Sequence, residues 1–282
     1  MEDQKIIYDL GANNGDDLPY YLEKAHKVIA VEALPERARG IRERFRAELN
    51  SGRLVVENVA VVDSSQHEGH IDIWIHHEDA KSTVVSPSTD VGLYTKSRVP
   101  AIAVTQLIEK HGDPYFIKVD LENYDATILK ALFQGGIFPP FISSEGHDPS
   151  VFGLLVGMGN YNSFKFVRGR RVEREFRNFT FRNLSGESRT FSFPWGSAGP
   201  FGDDIPGPWL EKMSAFAHLR LLGSGWFDIH SSFEKGDAIE PRLSLDEILG
   251  TDLVEFLRPP LSRRLRKLRR LLRAVRRFFG IK

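Results

Sequence analysis

The chain has 282 residues, 41% apolar and 27% charged, the balance of a soluble globule sized for one large domain or one domain with an extension. It has no cysteine, so disulfides, thiolate catalysis and cysteine-based zinc sites are excluded together. Its net charge of zero conceals an asymmetry: residues 258–282 carry eleven Lys or Arg and no acid, while the rest holds 27 basic against 38 acidic side chains, a net of −11.

The acidic start, Met1-Glu2-Asp3-Gln4, runs straight into an apolar strand with no visible secretory signal, and no apolar run is long enough to span a bilayer. A cytoplasmic enzyme is expected. Lys5-Ile6-Ile7-Tyr8-Asp9 reads as a buried strand ending on an acid, and Gly11 and Gly15 bracket the tight turn after it. A helix over 17–26 leads to a second strand, Val28-Ile29-Ala30-Val31, closed by Glu32, 21 residues after Gly11. Such a β-α-β unit binds a nucleoside: the glycines let the backbone approach the ligand, and the acid takes the ribose hydroxyls. A dinucleotide site wants a second glycine where Asn13 stands, to admit a pyrophosphate. Asp9 would repel a pyrophosphate but hold a cationic amino-acid moiety. The pattern therefore fits S-adenosylmethionine (SAM) better than NAD, and an NAD-dependent oxidoreductase is the alternative.

A helix over 35–49 opens with Pro35 in its first turn, and Leu54–Glu57 runs as a third strand into Asn58-Val59-Ala60-Val61-Val62. Residues 63–100 read as an insertion whose center, His70–His76, alternates with the period of a half-buried strand. Neighboring His76 and His77 point to opposite sides of such a strand, and no metal is assigned. After Ala101-Ile102-Ala103-Val104 the pattern is helical to 111. Tyr115–Asp120 is a buried strand ending on an acid, 126–133 a helix, and Phe141–Glu145 a strand ending in Gly146-His147-Asp148-Pro149. Strands alternating with helices predict an α/β doubly wound sheet. Over 162–193 Phe and Arg alternate, as in an antiparallel terminal hairpin that closes the sheet with Phe inward. Nucleic-acid binding by the same interleaving is the weaker reading. Residues 194–209, rich in Gly and Pro, read as a lid or binding loop.

The first motif, Glu32, Asn58-Val59-Ala60 and Phe116-Ile117-Lys118-Val119-Asp120-Leu121-Glu122, in that order, resemble the FkbM family of SAM-dependent methyltransferases over about residues 6–150. The strand resembles the family's F-x-K-x-D-x-E-G, with Asn123 in place of the final glycine. The resemblance implies a class I methyltransferase with a Rossmann-like sheet, SAM as cofactor, and O-methylation of a sugar or polyketide hydroxyl. By position it places Asp9, Gly11, Asn13, Asn14 and Gly15 around the methionine part of SAM. It also puts Glu32 on the ribose, Asn58 and Ala60 by the adenine, and Asp120 toward the methyl donor.

A sugar hydroxyl is a poor nucleophile, so a general base is expected where strands end. Asp120, Glu122, Glu145 and His147 are candidates. His147 is favored because an imidazole titrates near neutral pH, with Glu145 or Asp148 to orient it. Trp195 and Trp209 are candidates to stack on a sugar ring. The domain reading is 1–185 for the SAM-binding core, 186–257 for a substrate-binding or lid extension, and 258–282 for a basic helix. In the last, Leu261, Leu265, Leu268, Leu272, Val275 and Phe279 recur at steps of four and three, behind a Pro259-Pro260 hinge. That basic amphipathic helix over 261–279 reads first as an anchor to an anionic membrane at its inner face. Docking on its own core or a partner, or a tail that is itself the main functional element, are the alternatives, with nucleic acid last.

Overall fold

The computed structural model describes residues 4–63, 69–77, 82–87, 91–146, 148–222, 226–233 and 236–239. The chain divides into two units, Met1–Phe216 with Ser224–Ile239, and Ala217–Gly223 with Glu240–Lys282. The second unit contributes to the described residues only the last part of one helix, so the basic helix expected over 261–279 lies outside them.

The strands are β1 (Ile6–Leu10), β2 (Lys27–Val31), β3 (Leu54–Glu57), β4 (Ala60–Val62), β5 (His70–His76), β6 (Ser82–Thr83) and β7 (Tyr94–Ala103). They continue with β8 (Phe116–Val119), β9 (Phe141–Glu145), β10 (Ser163–Val167), β11 (Phe179–Arg182), β12 (Ser188–Phe191), β13 (Leu210–Glu211) and β14 (Asp228–Ser232). The helices are α1 (Leu18–Lys24), α2 (Pro35–Arg44), α3 (Arg46–Asn50), α4 (Val104–His111), α5 (Asp125–Gln134), α6 (Pro149–Gly157), α7 (Val172–Glu175) and α8 (Lys212–Leu222).

The main sheet has the order β13-β10-β14-β9-β8-β1-β2-β3. From β3 to β9 its strands are parallel, and β14 runs antiparallel between β9 and β10. Parallel strands covered on both faces need near-continuous apolar sequence, and every residue of β1, β8 and β9 is buried. A second sheet, β4-β7-β5-β6, is built from the insertion. The α/β doubly wound sheet expected from the sequence is present, in the class I methyltransferase arrangement.

Three local expectations are corrected. The helix over 35–49 breaks at Phe45 (φ −114, ψ 39), whose buried ring turns inward to pack against Gly15. The run 54–62 splits at Asn58, and β4 leaves the main sheet to pair in parallel with β7. Of the run 162–193, β10 joins the main sheet antiparallel to β14, all five of whose residues are buried. The hairpin β11–β12 stands instead as its own two-stranded sheet, mostly exposed, with Phe181 set edge-on to Tyr20 at 4.9 Å.

The expected lid is also a structural layer. Phe201 stacks on Phe116 at 4.1 Å, Lys165 donates to the carbonyl of Ile205 at 2.6 Å, and the Tyr20 hydroxyl donates to Asp204 at 2.6 Å. These contacts bury the middle of the 194–209 loop against α1 and the sheet. β14 and the loop belong to the same unit as residues 1–185. Among the described residues, no helix is long and apolar enough to cross a membrane.

Candidate active site

The turn after β1 is made by left-handed backbone. Gly11 has φ +88, and a Cβ there would collide with the carbonyl oxygen of Asp120, so the turn closes on the end of β8 only with glycine. Asn13 also takes a left-handed φ, +51, which Asn tolerates better than most residues. Gly15, φ +77, clears space for Leu18, Ile41 and Phe45, so its role is packing.

Glu32 leaves the tip of β2 and is 5% exposed. Its two carboxylate oxygens accept the backbone N–H of Asn13 and of Leu34, each at 2.8 Å. Each oxygen keeps a lone pair for a further donor, which is what a ribose diol supplies. Burial pushes the carboxyl up to about 7, against the lowering effect of the Leu34 N–H and Arg37. Arg37 itself donates to the side chain of Asn13.

A cleft of about 690 Å³, counted out to its mouth, opens beside Glu32. Gly11, Asn13, Ala33 and Arg37 line it, together with Ala60, Ile73, Ser82 and Thr83 of the second sheet and with Asp120, Glu122 and Tyr124. Thr83 of β6 donates to the carbonyl of Glu122 at 2.6 Å. Glu122 and Asn123 have φ of +49 and +74, so the position where the family pattern has glycine keeps a left-handed turn, with Asn as the tolerated substitute.

Beneath the turn lies Lys118, a lysine in the middle of a buried strand. Its ammonium is 3.3 Å from Asp9, 3.2 Å from Asp120 and 3.4 Å from the carbonyl of Gly11. Burial alone would strip its proton, but Asp9 and Asp120 outweigh that and hold it charged. Asp17 at the start of α1 faces the same group. Burial pushes its carboxyl up to about 7, opposed by Lys118, and one of its oxygens has no hydrogen-bond partner. Asp120 is raised by burial, with Glu145 adding to the rise and Lys118 opposing it. Four carboxyl groups, those of Asp9, Asp120, Asp17 and Asp228, thus act on one lysine. The surplus of negative charge suits a cationic ligand.

Of the residues expected at the cofactor, Gly11, Asn13, Glu32, Ala60 and Asp120 line the cleft. Others are placed elsewhere. Asp9 is 1% exposed and held by Lys118; Asn14 bonds Asp16 on the surface; Asn58 donates to the carbonyls of Glu32 and Ala33, which fixes the strand tip. Glu145 ends β9, buried, and His147 lies outside the described residues. Trp195 is 67% exposed, whereas Trp209 is buried against Phe141 with its N–H donated to Asp203, so its face is closed to a sugar. Thr83, Tyr124 and Asp17 escaped the sequence reading, and Lys118, quoted there within the family motif, was given no role, although a lysine inside an apolar strand is a signal in itself.

Strand order, the glycine turn and a strand-two carboxylate beside the cleft define a class I methyltransferase. A family profile described as the methyltransferase FkbM domain matches residues 9–183, and the chain belongs to that family, whose cofactor is SAM. No curated protein matches the chain in sequence. Among solved structures, methyltransferase FkbM from Methylobacillus flagellatus KT is 15% identical with a TM-score of 0.40, covering 58% of this chain and 40% of its own. The chain thus spans well under half the length of that relative. An rRNA methylase from Streptococcus thermophilus is 9% identical, TM-score 0.37, covering 82% of this chain and 88% of its own. A SAM-dependent O-methyltransferase from Thermotoga maritima is 10% identical, TM-score 0.35, covering 84% and 62%.

Proposed function

We propose that the protein transfers the methyl group of SAM to a hydroxyl of a sugar or glycan-like acceptor. The observation that carries this reading is the cleft lined by both Glu32 and Asp120, each at the end of a strand. Bound there, SAM supplies a methyl carbon on a sulfonium, open to in-line displacement. Glu32 holds the ribose, and the carbonyls and carboxyls about Lys118 suit the cationic methionine end. The acceptor oxygen forms the new C–O bond as the C–S bond breaks, and its proton goes to a base. His147 is proposed as that base, two residues beyond Glu145, with Asp120 close to the reacting atoms. The protein's task is then to align donor and acceptor and to exclude water.

The 261–279 stripe is proposed to hold the enzyme at the inner face of an anionic membrane, near lipid-linked glycans, at about 1 kcal/mol for each basic residue at the surface. Labeled SAM incubated with cell glycans, lipids and protein tests the acceptor class: label is expected in the glycan-bearing fractions, and label in protein alone defeats the sugar reading. His147→Ala is expected to lower turnover roughly 10²–10⁴-fold with S-adenosylhomocysteine binding intact. Near-full turnover in that variant moves the role to Asp120 or Glu145.

A further inference from the structure

Beyond the region that the family profile covers, β14 brings a carboxyl to the same edge of the sheet. Asp228 is in register with Glu145 of β9 and Val167 of β10, and residues directly opposite one another share a face. Asp120 ends the neighboring strand in the row. Strands are about 4.8 Å apart, so Asp228 stands about 10 Å beyond Asp120 along the row of strand ends. Its side chain is more than nine-tenths buried.

The chain holds it there by construction. Gly146 and Gly169, at the ends of β9 and β10, each lack a side chain where one would strike the ring of Phe227 or Trp226 respectively. The Gly146 N–H donates to the carbonyl of Phe227 at 2.8 Å, and the Gly169 N–H to that of Trp226 at 3.2 Å. Trp226 in turn meets the exposed Trp195 edge-to-face at 5.7 Å. Indole faces cover the C–H surface of a pyranose, and carboxyl groups accept from or donate to its hydroxyls.

We propose that Asp228 and the Trp195–Trp226 pair form the subsite that binds the acceptor sugar. Asp228 takes a ring hydroxyl next to the one being methylated, and Trp226 sits against the ring. This rests on the sugar reading above and adds the residues that would recognize it. The carboxyl of Asp228 is well above the usual range, first through burial, then through Asp120 and Glu145, with Lys118 opposing and Asp17 adding. A carboxyl there accepts from a sugar hydroxyl and, in its acid form, also donates to one.

The test uses full-length protein saturated with S-adenosylhomocysteine and a panel of methyl glycosides of common hexoses, amino sugars and deoxy sugars, read by tryptophan fluorescence. At least one glycoside is expected to bind, with a loss of tenfold or more in Asp228→Asn and in Trp226→Ala. A residue kept for binding rather than for the fold also has a stability signature: Asp228→Asn is expected to melt no lower than the wild type at pH 8. The inference is overturned if no glycoside binds, if Asp228→Asn binds as well as the wild type, or if it melts several degrees lower. Failure of S-adenosylhomocysteine itself to bind would instead remove the methyltransferase reading.

Discussion

Lys118→Met tests the central claim about charge. The methionine fills a similar volume, so the change removes one ammonium and leaves Asp9 and Asp120 facing each other at distances that were 3.3 and 3.2 Å from it. Breaking a buried pair by deleting one partner costs about 3–5 kcal/mol, because the other charge is left uncompensated. At about 2–4 °C per kcal/mol for a domain of this size, the melting temperature at pH 8 should fall by about 6–20 °C. The loss is one of unpaired negative charge, so it must shrink as the pH falls and protons replace the missing cation. Adding Asp9→Asn to Lys118→Met should recover a large part of the loss at pH 8. Circular dichroism melts of the three variants at pH 8 and pH 5.5 read this directly. A loss that is the same at both pH values, or a double variant no more stable than Lys118→Met alone, would refute the electrostatic account and leave only packing.

Glu32→Ala should weaken S-adenosylhomocysteine at least about tenfold, since a charge-assisted hydrogen bond is worth about 1.5–3 kcal/mol. In the wild type the ionized carboxylate is the better acceptor, and its carboxyl titrates at about 7, so affinity by calorimetry should hold at pH 8 and decline below 7; a flat profile counts against a ribose at Glu32. Asn123→Val forces a branched side chain into φ +74 and should cost about 1–2 kcal/mol, while Asn123→Gly should be neutral or better, both read by thermal melts. For the tail, full-length protein should float with anionic vesicles at low salt and a chain ending at Leu257 should not; equal behavior of the two removes the membrane proposal.

The first β-α-β unit was legible because its signals are local. A strand, a glycine turn and an acid at fixed spacing lie within residues 5–32, and the structure puts Gly11, Asn13 and Glu32 on one cleft. Strand ends at Asp120 and Glu145 were legible for the same reason. What escaped depends on register between distant segments. Nothing near Lys118 in sequence tells that Asp9, 109 positions earlier, sits opposite it. Part of the cleft lining comes from Ser82 and Thr83, a two-residue strand too short to show a period. In the loop 194–209, Gly and Pro announce irregular backbone but not whether that backbone is exposed; Phe201, Ile205 and Trp209 inside it are the apolar residues that bury it. The broken helix at Phe45 follows the same logic, with a tertiary contact to Gly15 overriding a favorable helical run.

The position of β14 has a consequence for how the molecule is made. The strand that lies between β9 and β10 is the last of the described strands in the chain, so the sheet cannot close until residue 232 has been synthesized. At about 5–20 residues per second, a nascent chain carries the exposed edges of β9 and β10 for several seconds between emergence of the one and arrival of the other. Open strand edges of that kind recruit other strands. A gene cut at the end of the recognizable family region, near residue 183, would leave this gap permanently and yield aggregates in place of a minimal domain. Expression work on this protein should therefore place its boundary beyond β14, and chaperone support should matter most while residues 146–232 are being added.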